Sequence, residues 1–421
     1  MKNILIIYPQ WPPSNLAGVH RPRLIANFLS EFGWRPIVLT VHEQHYEETP
    51  DPELTKTVSP QVEVIKVGAG KVVRIGGMRL VGDIGLRGFI QLYRKAREII
   101  RSRPVSFVWI PVPSFYTSLI GRALFETTGT PYGIDYIDPW VSQLAPHHHR
   151  FSKAWWSKKI AAVLEPVAVK KAALISGVAE SYYKGVLERN FGARQITHVG
   201  MPYGFDPRDH EINVNGLTVP WENSGSNRPM IYAGAFLPQS HLFIKLLFNS
   251  VRELKAKGEW PSDCKLFFLG TGHYAGKKIM DYANESGIDT LSTEINARFP
   301  YLHILQFLRQ ARGVMVIGST ERHYTASKIF QALLSGKPLF GILHEASPAI
   351  QVLQSARADE YVVRYRENMP EDELKNQITD RLSAFLSGNL NWSPDLGLLH
   401  QYSARASAKA LVQAMEAALS R

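Results

Sequence analysis

Short apolar runs recur along the chain and alternate with longer stretches in which apolar positions return every third or fourth residue. The first run is NILIIYP at 3–9, followed by a loop punctuated with Gly and Pro. In RPRLIANFLSEFG at 21–33, Leu24, Ile25, Phe28, Leu29 and Phe32 fall at helical spacing and Gly33 is placed to end the helix. WRPIVLTV at 34–41 is again short and apolar, so the opening predicts strand, helix, strand. Further strands are predicted at 62–68, 105–112, 132–137, 173–179 and 195–202, with helices at 115–128 and 155–172. Parallel strands need crossover connections of helix length, so this alternation predicts an α/β domain with a doubly wound parallel sheet over 1–205.

Around 203–228 the pattern stops in a stretch rich in Gly, Pro, Asn and Asp, which predicts a hinge. A second series then begins. Strands are predicted at 229–236, 265–272, 313–319 and 338–343, helices at 240–257, 274–286 and 325–336, a strand or loop near 299–303, and helices onward to the C-terminus. The expectation is a second Rossmann-like domain over 206–395 and a closing segment over 396–421. Two such domains joined by a hinge face each other across a cleft at the carboxyl ends of their strands, where open α/β sheets bind ligands. No short-period repeat or low-complexity tract points elsewhere.

Composition narrows the function. A chain of 421 residues, 45% hydrophobic, can bury two cores. No apolar run approaches the roughly 20 residues of a membrane-spanning helix, and the N-terminus reads as a strand instead of a secretory signal. One cysteine, Cys264, excludes an internal disulfide and a cysteine zinc cage, which fits a reducing, cytoplasmic setting. The net charge of +11 favours an anionic partner. Without a zinc finger, helix-turn-helix or RNP signature, that partner is not expected to be nucleic acid. Residues 71–103 carry nine Lys/Arg against two acids, interleaved with apolar positions, and 147–159 reads HHHRFSKAWWSKK. Both suit either an anionic membrane surface or an ordinary solvated basic face. The three adjacent histidines point in different directions and lack a nearby carboxylate, so no metal is expected.

The most informative stretch is SKIFQALLSGKPLFGI at 327–342, in which a polar loop opens a helix that ends at Gly336 before a strand. Free N–H groups at a helix start suit a diphosphate; Ser327 and Lys328 add a hydroxyl and a charge, and Gln331, about one turn on, can reach a ribose. The wording resembles the donor-binding segment of family 4 (group 1) glycosyltransferases of the GT-B fold, through Ser327, Lys328, Phe330, Gly336, Lys337 and Pro338. Where that family usually carries a ribose-binding glutamate, this chain has Gln331, and near its sugar-binding acid lies Glu321. The opening is similar too, with Trp11, Pro12, Pro13, Gly18, Arg21 and Leu24 in order. A glycine at a βα turn lets a ligand approach, and Arg21 at a helix start can hold an anion. The resemblance implies that this loop faces the cleft.

In YGIDYIDPW at 132–140, Asp138 follows a strand and is followed by Pro139 and Trp140, similar to the Asp-Pro-Trp of related enzymes. An acid at a strand's carboxyl end can take the proton of an acceptor hydroxyl. Asp135 falls on the opposite face by strand alternation, so Asp138 is the candidate catalytic acid or base, and His20, in the loop that the resemblance places at the cleft, is the second catalytic candidate. Gly234, Gly270 and Gly272, at the ends of the strands in IYAGAF and FFLGTGH, join Glu321, Ser327, Lys328 and Gln331 as donor-binding candidates. The Arg/Lys pair that many relatives carry after the first of these strands is missing from AFLPQSHLFIK, where His241 or Lys245 could substitute.

Taken together, the resemblance implies transfer of a sugar from a nucleotide-diphosphate donor, a UDP- or GDP-sugar, to a hydroxyl acceptor such as a lipid-linked or polysaccharide glycan. It implies retention of configuration, no metal and no other cofactor, while the basic stretches 71–103 and 147–159 suit a cytoplasmic protein peripheral on the inner face of the plasma membrane. It also implies a last helix, about 404–420, that braces the first domain. Two other readings share the fold: a nucleotide-sugar epimerase, and a non-catalytic partner subunit suggested by Gln331 and the missing Arg/Lys pair.

Overall fold

A computed structural model describes residues 1–75, 78–141, 152–192, 195–320, 328–388 and 392–421. The chain divides into two compact units, Met1–Asp206 with Gln401–Arg421, and Pro207–His400.

Unit 1 runs β1 (Lys2–Ile7), α1 (Ala17–Leu29), β2 (Trp34–Val41), β3 (Glu63–Val67), a short antiparallel hairpin of β4 (Val73–Ile75) and β5 (Met78–Val81), then α2 (Ile84–Arg87) and α3 (Phe89–Ser102). It continues with β6 (Phe107–Val112), α4 (Ser118–Thr128), β7 (Tyr132–Tyr136), α5 (Lys153–Val169), β8 (Leu174–Gly177), α6 (Glu180–Asn190) and β9 (Thr197–Gly200). Seven strands pair in parallel in the order β3-β2-β1-β6-β7-β8-β9. Helices cover both faces, so β1 is buried on successive residues instead of alternating: Leu5 and Ile7 join the core under α3, α4 and α5, while Ile4 and Ile6 join the core under α1.

Unit 2 runs β10 (Arg228–Ala233), α7 (His241–Ala256), β11 (Cys264–Leu269), α8 (Ile279–Glu285), β12 (Ser292–Ile295), α9 (Tyr301–Gln310), β13 (Gly313–Ile317) and α10 (Lys328–Leu334). It ends with β14 (Leu339–His344), α11 (Pro348–Ser355), β15 (Val362–Tyr365) and α12 (Glu371–Leu386). Its six strands are again all parallel, in the order β12-β11-β10-β13-β14-β15. The buried thiol of Cys264 opens β11. Between the units' strands, 207–227 holds a single 3-10 turn, Pro207–Glu211, and otherwise irregular chain.

Three predicted elements differ. The stretch near 299–303 is the start of helix α9, entered after Pro300, and the strand it was meant to supply lies earlier, at β12. The region expected to be helices to the C-terminus contains a further strand, β15. Both missed strands are four residues long and stand at the two edges of their sheet, where short strands with charged positions (Glu294, Arg364) discourage pairing with other chains. Helix α1 begins four residues earlier than predicted, which puts Gly18 inside its first turn and not in a βα turn.

The last helix, α13 (Ala404–Leu419), belongs to unit 1 and lies against α1. Ala408, Leu411 and Met415 are buried beside Leu24, Ile25 and Phe28. Glu416 accepts from Trp34 Nε1 at 3.0 Å and pairs with Lys2, and Ser407 Oγ donates to the Pro202 carbonyl at 3.0 Å. No described helix is long and apolar enough to cross a membrane.

Candidate active site

In each unit the strand order reverses direction between two neighbours, β1 and β6 in unit 1 and β10 and β13 in unit 2. At such a point the loops leaving the two strands diverge and open a crevice at the carboxyl edge. The candidate residues cluster at these two places.

In unit 1 the loop after β1 brings Tyr8 against Gly18. A Cβ on Gly18 would stand 2.4 Å from the Tyr8 hydroxyl and 3.5 Å from Pro113, the residue after β6. Glycine here makes room for a buried phenol at the switch point. Tyr203 donates its hydroxyl to the Ala17 carbonyl at the start of the same helix. Asp138, just beyond β7, is exposed, yet enclosure by neighbouring atoms pushes its carboxyl above the ordinary range. Its negative charge reaches three tyrosines. Burial first, and the Asp138 carboxylate among lesser causes, raise the hydroxyls of Tyr8, Tyr182 and Tyr203, the last to about 12. Asp138 is therefore an accessible carboxylate whose charge reaches phenol hydroxyls that stay protonated.

Arg21 has a different place from the one expected. It is fully buried and holds Asp135 bidentately, Nε to Oδ2 at 2.6 Å and Nη2 to Oδ1 at 2.9 Å, while Nη1 donates to the carbonyls of Met201 at 3.1 Å and Pro202 at 2.8 Å. Ser176 Oγ adds a bond to Asp135 Oδ1 at 2.7 Å. A guanidinium so satisfied is internal structure that ties α1 to β7 and to the segment after β9, and is not presented to a ligand. His20, one residue before it, lies 3.4 Å from Arg23 Nη2 through Nδ1. Burial, then the Arg23 charge, push its imidazole down to about 3, so it is neutral at physiological pH and a weak base.

Sequence reasoning missed the other wall of this crevice. Asp83 caps α2, accepting from the Leu86 N–H at 2.8 Å and from Ser114 Oγ at 3.0 Å, and burial raises its carboxyl. With Gln10, Glu48 and Arg87 it lines a cavity of about 280 Å³. Asp83 and Arg87 fall in the segment read as a basic face. Arg87 is 5% exposed and donates to the carbonyls of Gly70 at 3.1 Å and His45 at 3.0 Å, so it is not a surface charge. Only an acid followed at the right distance by a helix start could have signalled Asp83 as an N-cap.

In unit 2, Lys328 opens α10, which follows β13, and its ammonium meets the end of β10. Nζ donates to the Tyr232 hydroxyl at 3.0 Å and sits 4.4 Å above that ring's centre. A Cβ on Gly234 would be 2.6 Å from Lys328 Cε and Nζ, and φ there is +124°, so this position is glycine for two reasons: backbone conformation and the lysine lying across it. Desolvation pushes the ammonium pKa down to about 8. Lys328 and Gly234 are thus brought together at the switch point.

Gly270 and Gly272 adjoin them at the end of β11, but their N–H groups are taken, donating to the carbonyls of Ile295 at 2.8 Å and Asn296 at 3.1 Å. The Gly234 N–H is also taken, by the Leu269 carbonyl at 2.8 Å. These glycines shape the rim without offering those amides to a phosphate. The loop is held by Glu294, which sequence reasoning passed over: its Oε1 accepts from Thr271 Oγ1 at 2.8 Å, Tyr274 at 3.0 Å and Asn296 Nδ2 at 3.2 Å. Gln331, one turn into α10, faces His210, whose Nε2 is 2.6 Å from Gln331 Oε1. Its acceptor is therefore already engaged. Burial lowers the imidazole pKa of His210. Lys245 reaches Glu371 on α12, and His241 reaches Tyr282 on α8, so neither stands at the Lys328 cluster. Glu321 and Ser327 lie outside the described residues, as do the histidines at 147–149. Among the described residues no group of three His, Cys, Asp or Glu could hold a metal ion.

No protein-family model matches the sequence, and no curated protein matches it. Solved structures do. Sucrose-phosphate synthase from Thermosynechococcus elongatus superposes with a TM-score of 0.61 at 13% identity, covering 100% of both chains. Anabaena HepE in complex with UDP and glucose gives 0.57 at 14% identity, over 99% of this chain and 100% of that one. An α,α-trehalose 6-phosphate synthase from Burkholderia multivorans gives 0.59 at 13% identity, over 100% and 97%. From end to end, then, this chain has the two-sheet α/β fold of the GT-B glycosyltransferases.

Proposed function

We propose that the protein is a glycosyltransferase that moves a sugar from a nucleoside-diphosphate donor to a hydroxyl acceptor. The observation that carries this reading is Lys328: a partly desolvated ammonium at the switch point of unit 2, lying across Gly234 and tied only to the neutral hydroxyl and ring of Tyr232 among its described partners. A cation held off water, with no carboxylate among its described partners, is suited to a polyanion, whose binding restores its charge. HepE, of the same fold, is known in complex with UDP and with UDP-glucose, which makes UDP the first nucleotide to try.

In this reading the bond from the sugar's anomeric carbon to the diphosphate breaks, Lys328 stabilises the negative charge left on the leaving oxygen, and the acceptor oxygen bonds to the anomeric carbon. The acceptor's proton passes to the Asp138 carboxylate, whose raised pKa makes it a better base than an ordinary aspartate. The cavity beside Asp83 and Glu48 presents acceptors for sugar hydroxyls, in keeping with a glycan or lipid-linked acceptor. Neither metal nor other cofactor is assigned a role, and for the configuration to be retained the acceptor oxygen must bond to the anomeric carbon on the face from which the diphosphate leaves.

A thermal-shift panel of UDP, GDP, ADP, TDP and CMP on wild type and Lys328→Ala tests it. A nucleotide at about 100 times its dissociation constant should stabilise the fold by roughly 2.7 kcal/mol. The expected result is that UDP or GDP stabilises wild type and not the variant. Equal stabilisation of both, or of neither, would sink the assignment. The bond between Gln331 and His210 favours a second reading, a partner subunit without donor binding, which the last outcome would bring forward. An epimerase would instead convert the donor with no acceptor present.

A further inference from the structure

Helix α5 carries an apolar stripe on its outward face. Trp156, Ile160, Val163 and Val167 stand at i, i+4, i+7 and i+11 and are 52%, 43%, 68% and 48% exposed. This spacing is one side of a helix, and large side chains exposed in register along about three turns are unlike the scattered hydrophobic residues of an ordinary surface. The opposite side is the one that packs: Ala161, Ala168 and Val169 are buried, the last two in the core beneath the sheet. Glu165, the helix's one acid, is buried against Arg189 at 2.8 Å, so the exposed face carries no negative charge.

Basic residues frame this stripe. Lys159 flanks it near its start, and Lys171 follows its end. In the same helical layer α3 packs on α4 and α4 on α5, and α3 turns Arg94 and Arg101 outward. Among the described residues Arg94, Arg101 and Lys171 have no carboxylate partner, whereas the acids of this layer are spent locally, Glu98 on Lys95 at 2.6 Å and Glu126 on Arg122 at 2.6 Å. An apolar strip edged by unpaired cations, with a tryptophan at one end, matches a bilayer surface: aliphatic groups enter the acyl boundary, the indole sits at headgroup depth, and the cations meet anionic lipid.

We infer that the α5 face of unit 1 docks on an anionic lipid bilayer. A helix that follows a parallel strand starts at that strand's carboxyl edge, so the Trp156 end of α5 lies on the same edge of the sheet as Asp138. Docking by that end brings Asp138 toward the lipid headgroups, where a lipid-linked hydroxyl would be presented. The docking itself does not depend on the donor assignment, since it uses no residue of unit 2.

The test is co-sedimentation of the full chain with vesicles of phosphatidylcholine alone and of phosphatidylcholine with about a third phosphatidylglycerol. Wild type should bind the anionic vesicles several-fold more than the neutral ones, and binding should weaken as salt is raised. Two double variants separate the parts: Ile160→Glu with Val163→Glu should abolish binding, and Arg94→Glu with Arg101→Glu should reduce it, both keeping the wild-type melting temperature and nucleotide response. Wild type left in the supernatant with both vesicles overturns the inference, as does undiminished binding by the Ile160/Val163 variant. So does a finding that this variant instead abolishes a concentration-dependent dimer, which would make a second copy the occupant.

Discussion

Two aspartates three positions apart behave differently because of where β7 ends. Asp135, inside the strand, is fully buried on Arg21 and Ser176, whereas Asp138, beyond it, is exposed among tyrosines. Removing the charge at the two sites should therefore give opposite phenotypes. Asp135→Asn leaves the Arg21 charge buried and uncompensated and should destabilise the protein by about 3–5 kcal/mol in urea unfolding. Asp138→Asn should unfold like wild type and lower kcat by about 10²–10⁴ with little change in KM for the donor, the signature of a lost proton acceptor. Lys328 makes a pH prediction. Its free-state pKa of about 8 means that below pH 8 the ammonium is already charged when a diphosphate arrives; above it, binding must take up a proton. Affinity for the nucleotide should be level between about pH 7, above which its terminal phosphate is fully charged, and about pH 8, and fall as pH rises beyond that, up to tenfold per unit. The same titration on Lys328→Arg should stay flat across that window, since guanidinium does not deprotonate. His20 runs the other way: with a folded pKa near 3 against an ordinary 6.5, the unfolded chain takes up its proton first, so the stability this residue supports is intact above pH 6.5 and lost as pH falls toward 3.

At the scale of elements, the candidate donor rim is organised by an edge strand that the hydrophobic pattern does not reveal. Glu294 on β12 accepts three hydrogen bonds and so fixes the loop 270–272 that follows β11. Glu294→Ala removes the acceptor common to Thr271, Tyr274 and Asn296, and a partly buried donor left without a partner costs about 1–3 kcal/mol. Melting should therefore fall modestly, while the 270–272 amides should exchange with solvent at least several-fold faster by hydrogen–deuterium exchange, with the amides of the central strand β10 unchanged. Uniform loss of protection throughout unit 2 would refute this local role. Helix α1 shows the same dependence on neighbours. The apolar periodicity of 21–33 locates its buried face, but its true start at Ala17 is set by contacts of Gly18 and Ala17 with Tyr8 and Tyr203, which no local pattern encodes.

Across the whole molecule, the C-terminal helix is separated by the length of unit 2 from the sheet it covers. Leu411 is wholly buried between α1 and the sheet of unit 1. Leu411→Ala should cost about 2–5 kcal/mol through the cavity it leaves, and the loss should appear in the unfolding of unit 1, reported by near-ultraviolet signals of its buried tryptophans Trp11, Trp34 and Trp109. If only the transition of unit 2 moved, the helix would not be part of the unit 1 core.

The sequence by itself determined the fold class, two doubly wound parallel sheets, because strand and helix periods of two and about 3.6 residues are local properties that survive without any tertiary information. It also put Asp138 and Gly234 just past strand ends and Lys328 at a helix start, positions at the carboxyl edge of a sheet that the local pattern alone can assign. Only the tertiary structure decided that Arg21 serves Asp135 and not a ligand, that Gln331 is held by His210, and that Glu294 governs a loop more than twenty residues upstream. It alone turned a basic, tryptophan-bearing stretch of sequence into a stripe on α5. The physical reason is common to all four: burial and pairing depend on which side chains distant segments bring within hydrogen-bond reach, and a chain read in order carries no distances.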